Sequence, residues 1–577
     1  MVAYKNKKTA LVVTCVYIIY TLILFAIYES RTLNDDINNH ILAGEIFGVP
    51  EELKGHGIRP LYTGKALGWD GQFYYYISND IFGLKDTANH IDMPSYRYQR
   101  VGLSLYVAAI SFIAGNDWVS PKAFFVSYLF LIIAATYVGA RLLQRFGVNP
   151  ALMLCWSLSV GTQITLFNAL PDAAADSFLI LALGFLFSGR ASLSIISFVF
   201  SGLSREVYVL FPSFIFIFYF YKHLFGGKSD SINEKLTLKY VILPKYYLFV
   251  IPGLIALFWN IYIYIHFGKA PASQAHGIGI LGPPFKNWYE YLLSGLSGNH
   301  KLVGQSWSAY AEAISLILFM LVIFSSMWVT YGVFRKSSLR ATLESYGIAL
   351  ALFALSILYI CFGSTVVMHY TGYLKALSPY YFLIPLLLSL FDTKRFERGA
   401  INLLLVFSLI FTTIYNMKVR ILPFHQETEQ VTNMSQISDK SRVECFGEYQ
   451  AEVKIGSVNI VKKSVMSNLL GGGDQVIVDV DLKNTGTHPF WSTKNFGSVY
   501  MSYHWLNSDG KVIQDGIRSV IPGGLFPDQT KRVSVISNIP PNDGGELSLV
   551  LSPVQEGCAW FYMANPQFYN AVKIHVR

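Results

Sequence analysis

The apolar run TALVVTCVYIIYTLILFAI, residues 9–27, follows a basic amino-terminal segment, MVAYKNKK. The run contains no charged residue, and its length is close to the roughly 20 residues that a helix needs to cross the hydrocarbon of a bilayer. A secretory signal would end in a small-residue cleavage site, and none follows here. The run therefore predicts a retained first transmembrane helix with its basic end in the cytoplasm.

Similar runs recur along the chain and predict a polytopic α-helical membrane protein. Of the 577 residues, 53% are hydrophobic and 14% are charged, and the mean hydropathy is +0.40. This leaves too little charge for an ordinary soluble protein. The runs predict about eleven transmembrane helices, which lie near residues 9–27, 122–143, 150–168, 172–189, 190–203, 206–221, 246–266, 307–333, 346–362, 378–391 and 400–416.

Basic loops fix the predicted orientation of these helices, because loops rich in Lys and Arg stay on the cytoplasmic side. Four such loops agree with a cytoplasmic N-terminus only if the short run VGLSLYVAAISFIA, residues 101–114, does not cross. We expect this run to be an interfacial or re-entrant helix, within an outer loop of residues 30–121 that carries interfacial helices. Many of the basic residues behind the net charge of +9 sit in short loops, so nucleic acid is not an expected partner. The four loops are 141–147, 222–245, 335–340 and 393–398.

The carboxy-terminal region changes to an alternating pattern. Segments such as QVIVDVDLKN, residues 475–484, alternate apolar and polar residues, and NSDGK, residues 507–511, is typical of a hairpin turn. Several short strands at this spacing predict a β-sandwich. We therefore expect a helical catalytic domain in 1–416, a linker in 417–439 and an extracytoplasmic accessory β-sandwich in 440–577.

Two of the five cysteines, Cys445 and Cys558, fall in this β region. The predicted orientation puts both in an oxidising compartment, where we expect a disulfide between them unless the two thiols sit apart. The sequence contains no CxxC or Cys/His ligand spacing, so a zinc site is not expected.

The outer loop holds the residues most suited to chemistry. Asp70 lies in GWDGQFYYY, residues 68–76, and Arg97 and Arg100 lie in YRYQR, residues 96–100. A carboxylate near aromatic side chains can act as a general base, and arginine matches a phosphate with a rigid fork of donors. The structural alternative is that Asp70 caps a helix over 71–79 and the tyrosines form an interfacial belt.

Further ionisable residues lie at predicted outer ends of helices. Asp172 follows Pro171 and is equally suited to capping, whereas Asp176, one turn deeper, would be an intramembrane acid. Arg205 and Glu206 are either a local ion pair or a contact for phosphate or sugar. His369 and Lys375 lie in the last outer loop, where a basic group can meet phosphate, although a surface histidine without a role is the simpler reading of His369.

Several motifs together resemble the GT-C glycosyltransferases, in particular a bacterial branch with a DGQ-tyrosine motif in the first loop. They are GWDGQFYYYIS (68–78), YRYQR (96–100), LPDAAADSFLILAL (170–183) and LSREVYVLFP (203–212), in corresponding order. The resemblance covers roughly residues 1–416. It implies a polyprenyl-phosphate sugar donor, a reaction on the outer side of the membrane and a first-loop acid as base.

The resemblance also implies roles for individual residues. Asp70 is the expected base, with Asp35 and Asp36 as the alternative because some relatives carry their acid directly after the first helix. Residues 1–416, which the resemblance covers, contain no clear DxD or WWD-like metal motif, so no metal ligand or cofactor is assigned and metal dependence stays open. The donor phosphate is expected at Arg97, Arg100, Arg205, Lys375 and His369, and substrate contacts are expected from Gln72, Tyr75, Tyr96, Asp172 and Glu206.

The expected function is an inverting glycosyltransferase in a bacterial inner membrane. It would move a sugar, for which a pentofuranose such as arabinofuranose is admissible, to a hydroxyl of a glycan, lipid or protein acceptor. Its C-terminal domain would be periplasmic or extracellular. The alternative is a polytopic transporter or a flippase for lipid-linked sugars, which would place its ionisable groups near mid-membrane.

Overall fold

The computed structural model forms two compact units, one helical and one built of β-strands. Residues 417–444, which include the predicted linker 417–439, lie outside the described residues. The described residues are 7–33, 36–61, 67–225, 247–275, 280–300, 304–305, 307–335, 342–368, 370–390, 395–416, 445–461, 475–492, 498–516, 518–521, 524–540, 546–565 and 571–575.

Long apolar helices alternate with short ones in the first half of the helical unit. The α-helices are α1 (Lys7–Thr32), α2 (Glu51–Gly55), α3 (Gly71–Ser78), α4 (Pro94–Tyr98), α5 (Gly102–Ile113), α6 (Pro121–Arg145), α7 (Met153–Ser157), α8 (Val160–Phe167), α9 (Asp172–Phe187), α10 (Ala191–Ser204) and α11 (Leu210–Phe225). Single 3-10 turns cover Ile37–Ile41, Asp86–His90, Pro150–Leu152 and Glu206–Val209.

The second half follows the same pattern. After a 3-10 turn, Leu248–Val250, come α12 (Ile251–Phe267), α13 (Pro271–Ala275), α14 (Lys286–Leu296), α15 (Trp307–Arg335), α16 (Leu343–Ile360), α17 (Ser364–Met368), α18 (Tyr370–Leu377), α19 (Tyr380–Leu388) and α20 (Arg395–Asn416). A small hairpin between α14 and α15 pairs β1 (Asn299–His300) with β2 (Gly304–Gln305).

Seven helices in the described part of the chain are long and apolar enough to cross a membrane. An eighth crossing results if α7 and α8, which meet at a bend of 50°, count as one broken span. This number of apolar helices is typical of a multi-pass membrane protein. Helices also occupy the other predicted runs, but α9, α10 and α19 have 16, 14 and 9 residues. The count of eleven spans therefore stays a prediction.

The short run 101–114 forms α5, which has 12 residues. At about 1.5 Å per residue it extends about 18 Å, less than the thickness of the hydrocarbon core. It packs against α3, α6, α9 and α10, while Phe112 and Ile113 at its end are about 80% exposed. The length agrees with a helix that does not cross, and its place at the membrane surface stays a prediction.

The tyrosine band of the outer loop is part of a core. Tyr74, Tyr75 and Tyr76 on α3 are 1%, 0% and 0% exposed. Phe73 and Tyr74 pack in a cluster with Tyr98 from α4, and Ser104 of α5 donates a hydrogen bond of 2.7 Å to the carbonyl of Tyr74. These bonds and contacts fix α3, α4 and α5 relative to one another. The tyrosines of α3 are therefore packed inside the helical unit and do not form an exposed belt.

The β unit contains two antiparallel sheets. One has the order β3 (Ala451–Val461), β4 (Gln475–Asn484), β7 (Thr530–Asn538). The other has the order β10 (Ala571–His575), β8 (Glu546–Gln555), β5 (Val499–Leu506), β6 (Val512–Asp515), with β9 (Ala559–Trp560) paired to β8. A last short helix, α21, covers Phe561–Ala564.

Both sheets contribute to a single apolar core. Val478 and Val480 from β4 and Met501 and Trp505 from β5 are all 0% exposed and belong to one cluster. The alternating runs of the sequence are thus strands, and the buried member of each alternation faces this core. Because the two sheets share one core, we interpret the β unit as a β-sandwich.

Candidate functional site

A cavity of about 510 Å³ lies in the helical unit and gathers six segments of the chain. Eight of the residues singled out in the sequence line it: Asp70, Tyr96, Arg97, Arg100, Asp172, Arg205, Glu206 and Lys375. Val207, Leu281, Leu358, Phe362 and Val366 give part of the same wall an apolar surface. The cavity therefore combines fixed charges with room for apolar groups, as ligand pockets do.

Asp70 is held by an arginine instead of capping the helix that follows it. It occupies the N-cap position of α3, but its side chain makes no capping hydrogen bond. Nη1 of Arg97 donates to Oδ2 of Asp70 at 2.9 Å. The Asp70 side chain is 56% exposed, and Oδ1 has no hydrogen-bond partner among the described residues. One carboxylate oxygen is thus anchored and the other faces the cavity.

Arg97 is itself oriented by a second acid, Asp92. Nε and Nη2 of Arg97 donate to the two carboxylate oxygens of Asp92 at 2.9 and 2.7 Å. The guanidinium is 8% exposed and lies against the ring of Phe73, 5.0 Å from its centroid. Burial alone lowers the pKa of an arginine, but the bond to Asp92 and the nearby negative charges raise the pKa of Arg97 well above its usual value. Arg97 therefore stays charged and paired with two acids.

Gly68 and Gly71, which flank Asp70, allow the backbone around Asp70 to lie close to two other segments of the chain. A Cβ on Gly71 would lie 1.9 Å from the carbonyl oxygen of Asn168, and Gly68 has a φ of +70° and would place a Cβ 2.4 Å from the amide nitrogen of Gly44. Glycine is the residue that tolerates both conditions. The glycines thus fix the backbone around Asp70 against two other segments, at Gly44 and at Asn168.

Arg100 and Glu206 form a second ion pair across the cavity wall. Nε and Nη2 of Arg100 donate to the two oxygens of Glu206 at 3.0 and 2.9 Å. The ring of Tyr96 lies 4.7 Å from the guanidinium of Arg100. This bidentate pair joins the end of α4 to the turn after α10, and it uses the two best directed donors of the arginine.

Asp172, Arg205 and Lys375 form a looser cluster. One Asp172 oxygen lies 3.5 Å from Nη1 of Arg205 and the other lies 3.8 Å from Nζ of Lys375. Nη1 of Arg205 is buried and has no hydrogen-bond partner in the described part of the chain. The ring of Tyr359 lies 5.9 Å from the same guanidinium. Two cations here share one carboxylate at distances longer than a hydrogen bond.

The three clusters differ in charge. Arg97 faces two acids, Asp70 and Asp92, so that cluster carries one surplus negative charge. Arg100 and Glu206 balance each other. Arg205 and Lys375 face the single acid Asp172, so that cluster carries one surplus positive charge.

Other residues singled out in the sequence lie elsewhere. Gln72 is 1% exposed and ties two backbone segments together, accepting from the amide of Gly44 and donating to the carbonyl of Leu67. Tyr75 is buried in the core, and neither residue lines the cavity. The expectation that they contact substrate stays a prediction. Asp36 is exposed and caps the 3-10 turn Ile37–Ile41, accepting from the amide of Asn38 at 2.9 Å. Asp35 and His369 lie outside the described residues.

Sequence patterns missed residues that matter to this arrangement. Asp92 lies five residues before Arg97, just outside the motif YRYQR, residues 96–100. Tyr359 gave no signal, since it is one aromatic residue in an apolar helix. Glu312 on α15 is 1% exposed and accepts a hydrogen bond of 2.9 Å from Tyr373. An acid inside an apolar run is itself a signal, although Glu312 does not line the cavity.

In the β unit, Cys445 and Cys558 form a disulfide, with Cα atoms 5.6 Å apart. The described residues contain no group of three His, Cys, Asp or Glu side chains that would hold a metal ion.

Comparisons of the chain with protein-family models and with curated proteins find no match. The cavity is therefore the feature of the molecule that bears on its function.

Proposed function

We propose that the protein is an inverting glycosyltransferase that moves a sugar from a polyprenyl phosphate to an acceptor hydroxyl. The observation that carries this proposal is the charge division within one cavity, negative around Asp70 and positive around Arg205 and Lys375. Transfer of a glycosyl group from phosphate needs a base at one end and an anion site at the other.

Arg205 and Lys375 are the proposed phosphate ligands. Both line the cavity, both are mostly buried, and Asp172, the acid that they share, leaves one positive charge. A sugar phosphodiester carries one negative charge, and the departing polyprenyl phosphate gains a second as the bond to the sugar breaks. A surplus positive charge near the phosphate stabilises the transition state more than the bound donor.

Asp70 is the proposed base. Its free oxygen takes the proton of the acceptor hydroxyl while that oxygen forms a bond to the anomeric carbon. The bond between this carbon and the phosphate oxygen breaks, and its electron pair leaves with the phosphate. Attack from the side opposite the phosphate inverts the configuration of the sugar.

Arg97 and Arg100 take a different role in this proposal from the one expected of them. Each is held bidentately by a carboxylate, Asp92 or Glu206. A phosphate would have to displace these bidentate bonds and leave Asp92 or Glu206 without its arginine. We therefore assign them to the orientation of Asp70 and of the cavity wall, and leave the donor phosphate to Arg205 and Lys375.

The wider assignment belongs to the same proposal. We place the protein with the GT-C glycosyltransferases, in a bacterial inner membrane with the cavity on the outer side. The donor sugar is open, with arabinofuranose admissible, and so is the choice among glycan, lipid and protein acceptors. Apolar residues of the cavity wall, such as Leu358 and Val366, suit the first isoprene units of the donor.

A flippase or transporter is the second candidate, and the bend of 50° between α7 and α8 favours it, because broken helices are common in transporters. It would use the phosphate end of the cavity without needing a base. The two candidate functions therefore differ in whether the activity needs the carboxylate of Asp70.

The test uses purified protein in nanodiscs with a panel of radiolabelled polyprenyl-phosphate sugars and an extract of cell-envelope glycans as acceptor. We expect release of polyprenyl phosphate and label in the acceptor, and neither with Asp70→Asn. Movement of labelled lipid between leaflets of proteoliposomes, undiminished in Asp70→Asn and without release of phosphate, would instead establish the flippase.

A further inference from the structure

Asp176 lies one helical turn after Asp172 on α9 and outside the cavity. Residues four apart share a face of a helix, so both acids point toward the same neighbouring elements. Asp176 is 1% exposed, and a carboxylate buried in a membrane protein is costly unless it accepts hydrogen bonds. Asp176 accepts three, each from a different element of the fold.

One of these hydrogen bonds holds Tyr208, whose ring lies beside Arg205. The hydroxyl of Tyr208 donates to Oδ1 of Asp176. Tyr208 is 0% exposed, and its ring lies 5.7 Å from the guanidinium carbon of Arg205. A ring fixed at its hydroxyl end presents a fixed face to the cation beside it. Asp176 thus acts on Arg205 through Tyr208.

A second bond reaches the turn that carries Lys375. The hydroxyl of Ser378 is within hydrogen-bond distance of Oδ2 of Asp176 and lies 2.8 Å from the carbonyl oxygen of Lys375. It has a single proton to donate, and the carboxylate is the stronger acceptor. Ser378 follows Lys375 by three residues at the end of α18, so this bond anchors the turn on which Lys375 lies.

The third hydrogen bond comes from α7, a helix that carries neither Arg205 nor Lys375. Nε1 of Trp156 on α7 donates to Oδ2 of Asp176 at 3.1 Å. No residue of α7 lines the cavity. This bond anchors Asp176 itself, while the other two extend from it toward the cations.

We propose that Asp176 is a positioning residue for the phosphate end of the cavity, and that its bonds to Tyr208 and Ser378 keep Arg205 and Lys375 apart. The inference rests on the proposed function, because it assigns a purpose to the phosphate site defined there. It also accounts for the long ion pairs around Asp172. Both cations are attracted to that carboxylate, yet they stop at 3.5 and 3.8 Å. Tyr208 and Ser378, which are hydrogen-bonded to Asp176, keep the two cations from moving closer to Asp172. The space that remains between the cations can accept a phosphate oxygen.

The test measures binding of farnesyl phosphate, a short isoprenyl monophosphate, to the full chain in nanodiscs by calorimetry. Replacing Asp176 itself risks the fold, so Tyr208→Phe and Ser378→Ala remove one bond each. We expect each variant to raise the Kd about tenfold, the scale usual for removing a partner that orients a ligand. Matched controls are Tyr381→Phe and Ser356→Ala, which remove buried hydroxyls bonded to Ser408 and Tyr380 instead and should leave the Kd unchanged.

Double variants show whether each change in the Kd for farnesyl phosphate is transmitted through Arg205 or through Lys375. Tyr208→Phe should add nothing when Arg205 is already Ala, and Ser378→Ala should add nothing when Lys375 is already Ala. An unchanged Kd in both single variants, or an effect that persists in those backgrounds, overturns the inference and leaves the phosphate site standing. A Kd that Arg205→Ala and Lys375→Ala themselves do not raise overturns the proposed site and this inference with it.

Discussion

Arg97 binds Asp70 through Nη1 at 2.9 Å and so takes the place of the capping bond that the position of Asp70 before α3 offers. An N-cap acid normally accepts from the backbone of the first turn. Here the carboxylate turns to a guanidinium that a second acid, Asp92, already holds by two bonds. The consequence is an acid with one anchored and one available oxygen at the wall of a cavity.

Asp70→Asn should lower turnover by about 10²–10⁴-fold, the range usual for loss of a general base, while donor binding is retained. Asparagine keeps the shape of the side chain and can still accept from Arg97, but it does not take up a proton. Rates with a polyprenyl-phosphate sugar, and donor Kd measured alongside, check this. The Asp35→Asn/Asp36→Asn double variant is the comparison, and a loss confined to that variant would transfer the base to the segment after α1.

Asp92→Asn should lower turnover about tenfold and leave the donor Kd unchanged. The substitution weakens the two bonds that orient Arg97, so the guanidinium holds Asp70 less firmly in the position of a base. Asp92→Glu should recover part of the rate. Glu52→Gln, which breaks the exposed pair between Glu52 and Lys85 in the same outer loop, is the control. Equal losses in Asp92→Asn and the control would contradict the assignment.

Gly71→Ala should destabilise the protein by roughly 1–3 kcal/mol or more, because the added Cβ would lie 1.9 Å from the carbonyl oxygen of Asn168. The backbone next to Asp70 would have to shift, so activity should fall as well. Thermal unfolding in detergent measures the first effect. Gly55→Ala in α2 is the matched control, since a Cβ there meets nothing within 4 Å, and a loss of the same size in both variants would contradict the packing argument.

Stability should fall between about pH 6.5 and pH 4 because of His40. Burial lowers the pKa of His40 to about 4, and the hydrogen bond to the carbonyl of Leu166 offsets this only in part. In the unfolded chain histidine titrates near pH 6.5, so protons bind the unfolded state more strongly in this window. The stabilisation is complete above pH 6.5 and is lost as the pH falls to about 4, a difference of about 3 kcal/mol.

Melting temperatures at pH 7 and pH 4.5 test this expectation. His40→Gln should flatten the dependence, and His56→Gln, which alters an exposed histidine, should not. The same slope in His40→Gln and in the natural chain would exclude His40 as the cause.

The predicted orientation can be tested with single cysteines. Asn116, exposed after α5, should react as Asn116→Cys with a membrane-impermeant maleimide added from outside the cell. Gln144, near the end of α6, should not react as Gln144→Cys until the membrane is opened. The opposite pattern would reverse the orientation and put the cavity on the cytoplasmic side.

The helices and strands were predictable because each follows from one local property. Apolar length revealed α1, α6 and α15, and alternation revealed β4 and β8, since a period of two buries one face of a strand. The charged cavity residues were found because a charge beside an apolar helix end is unusual.

The pairing of those charges could not be predicted, because it depends on which distant segments meet. Arg97 was expected to bind phosphate and is paired with Asp70 and Asp92. Gln72 and Tyr75 belong to the same motif as Asp70, yet every residue of α3 is buried. A motif fixes the order of residues along the chain, and the tertiary contacts of α3 decide which of them faces the cavity.

The distribution of the cavity over the chain bears on how the protein is made. Its lining begins at Gly68 and ends at Lys375, and amino-terminal segments emerge from the ribosome first. Until α18 is inserted, Arg205 and Asp172 cancel each other and no surplus positive charge exists. Under the proposed function, affinity for an anionic lipid would arise only as Lys375 arrives, so that a half-synthesised chain would not bind the lipid donor while its remaining helices still have to enter the bilayer.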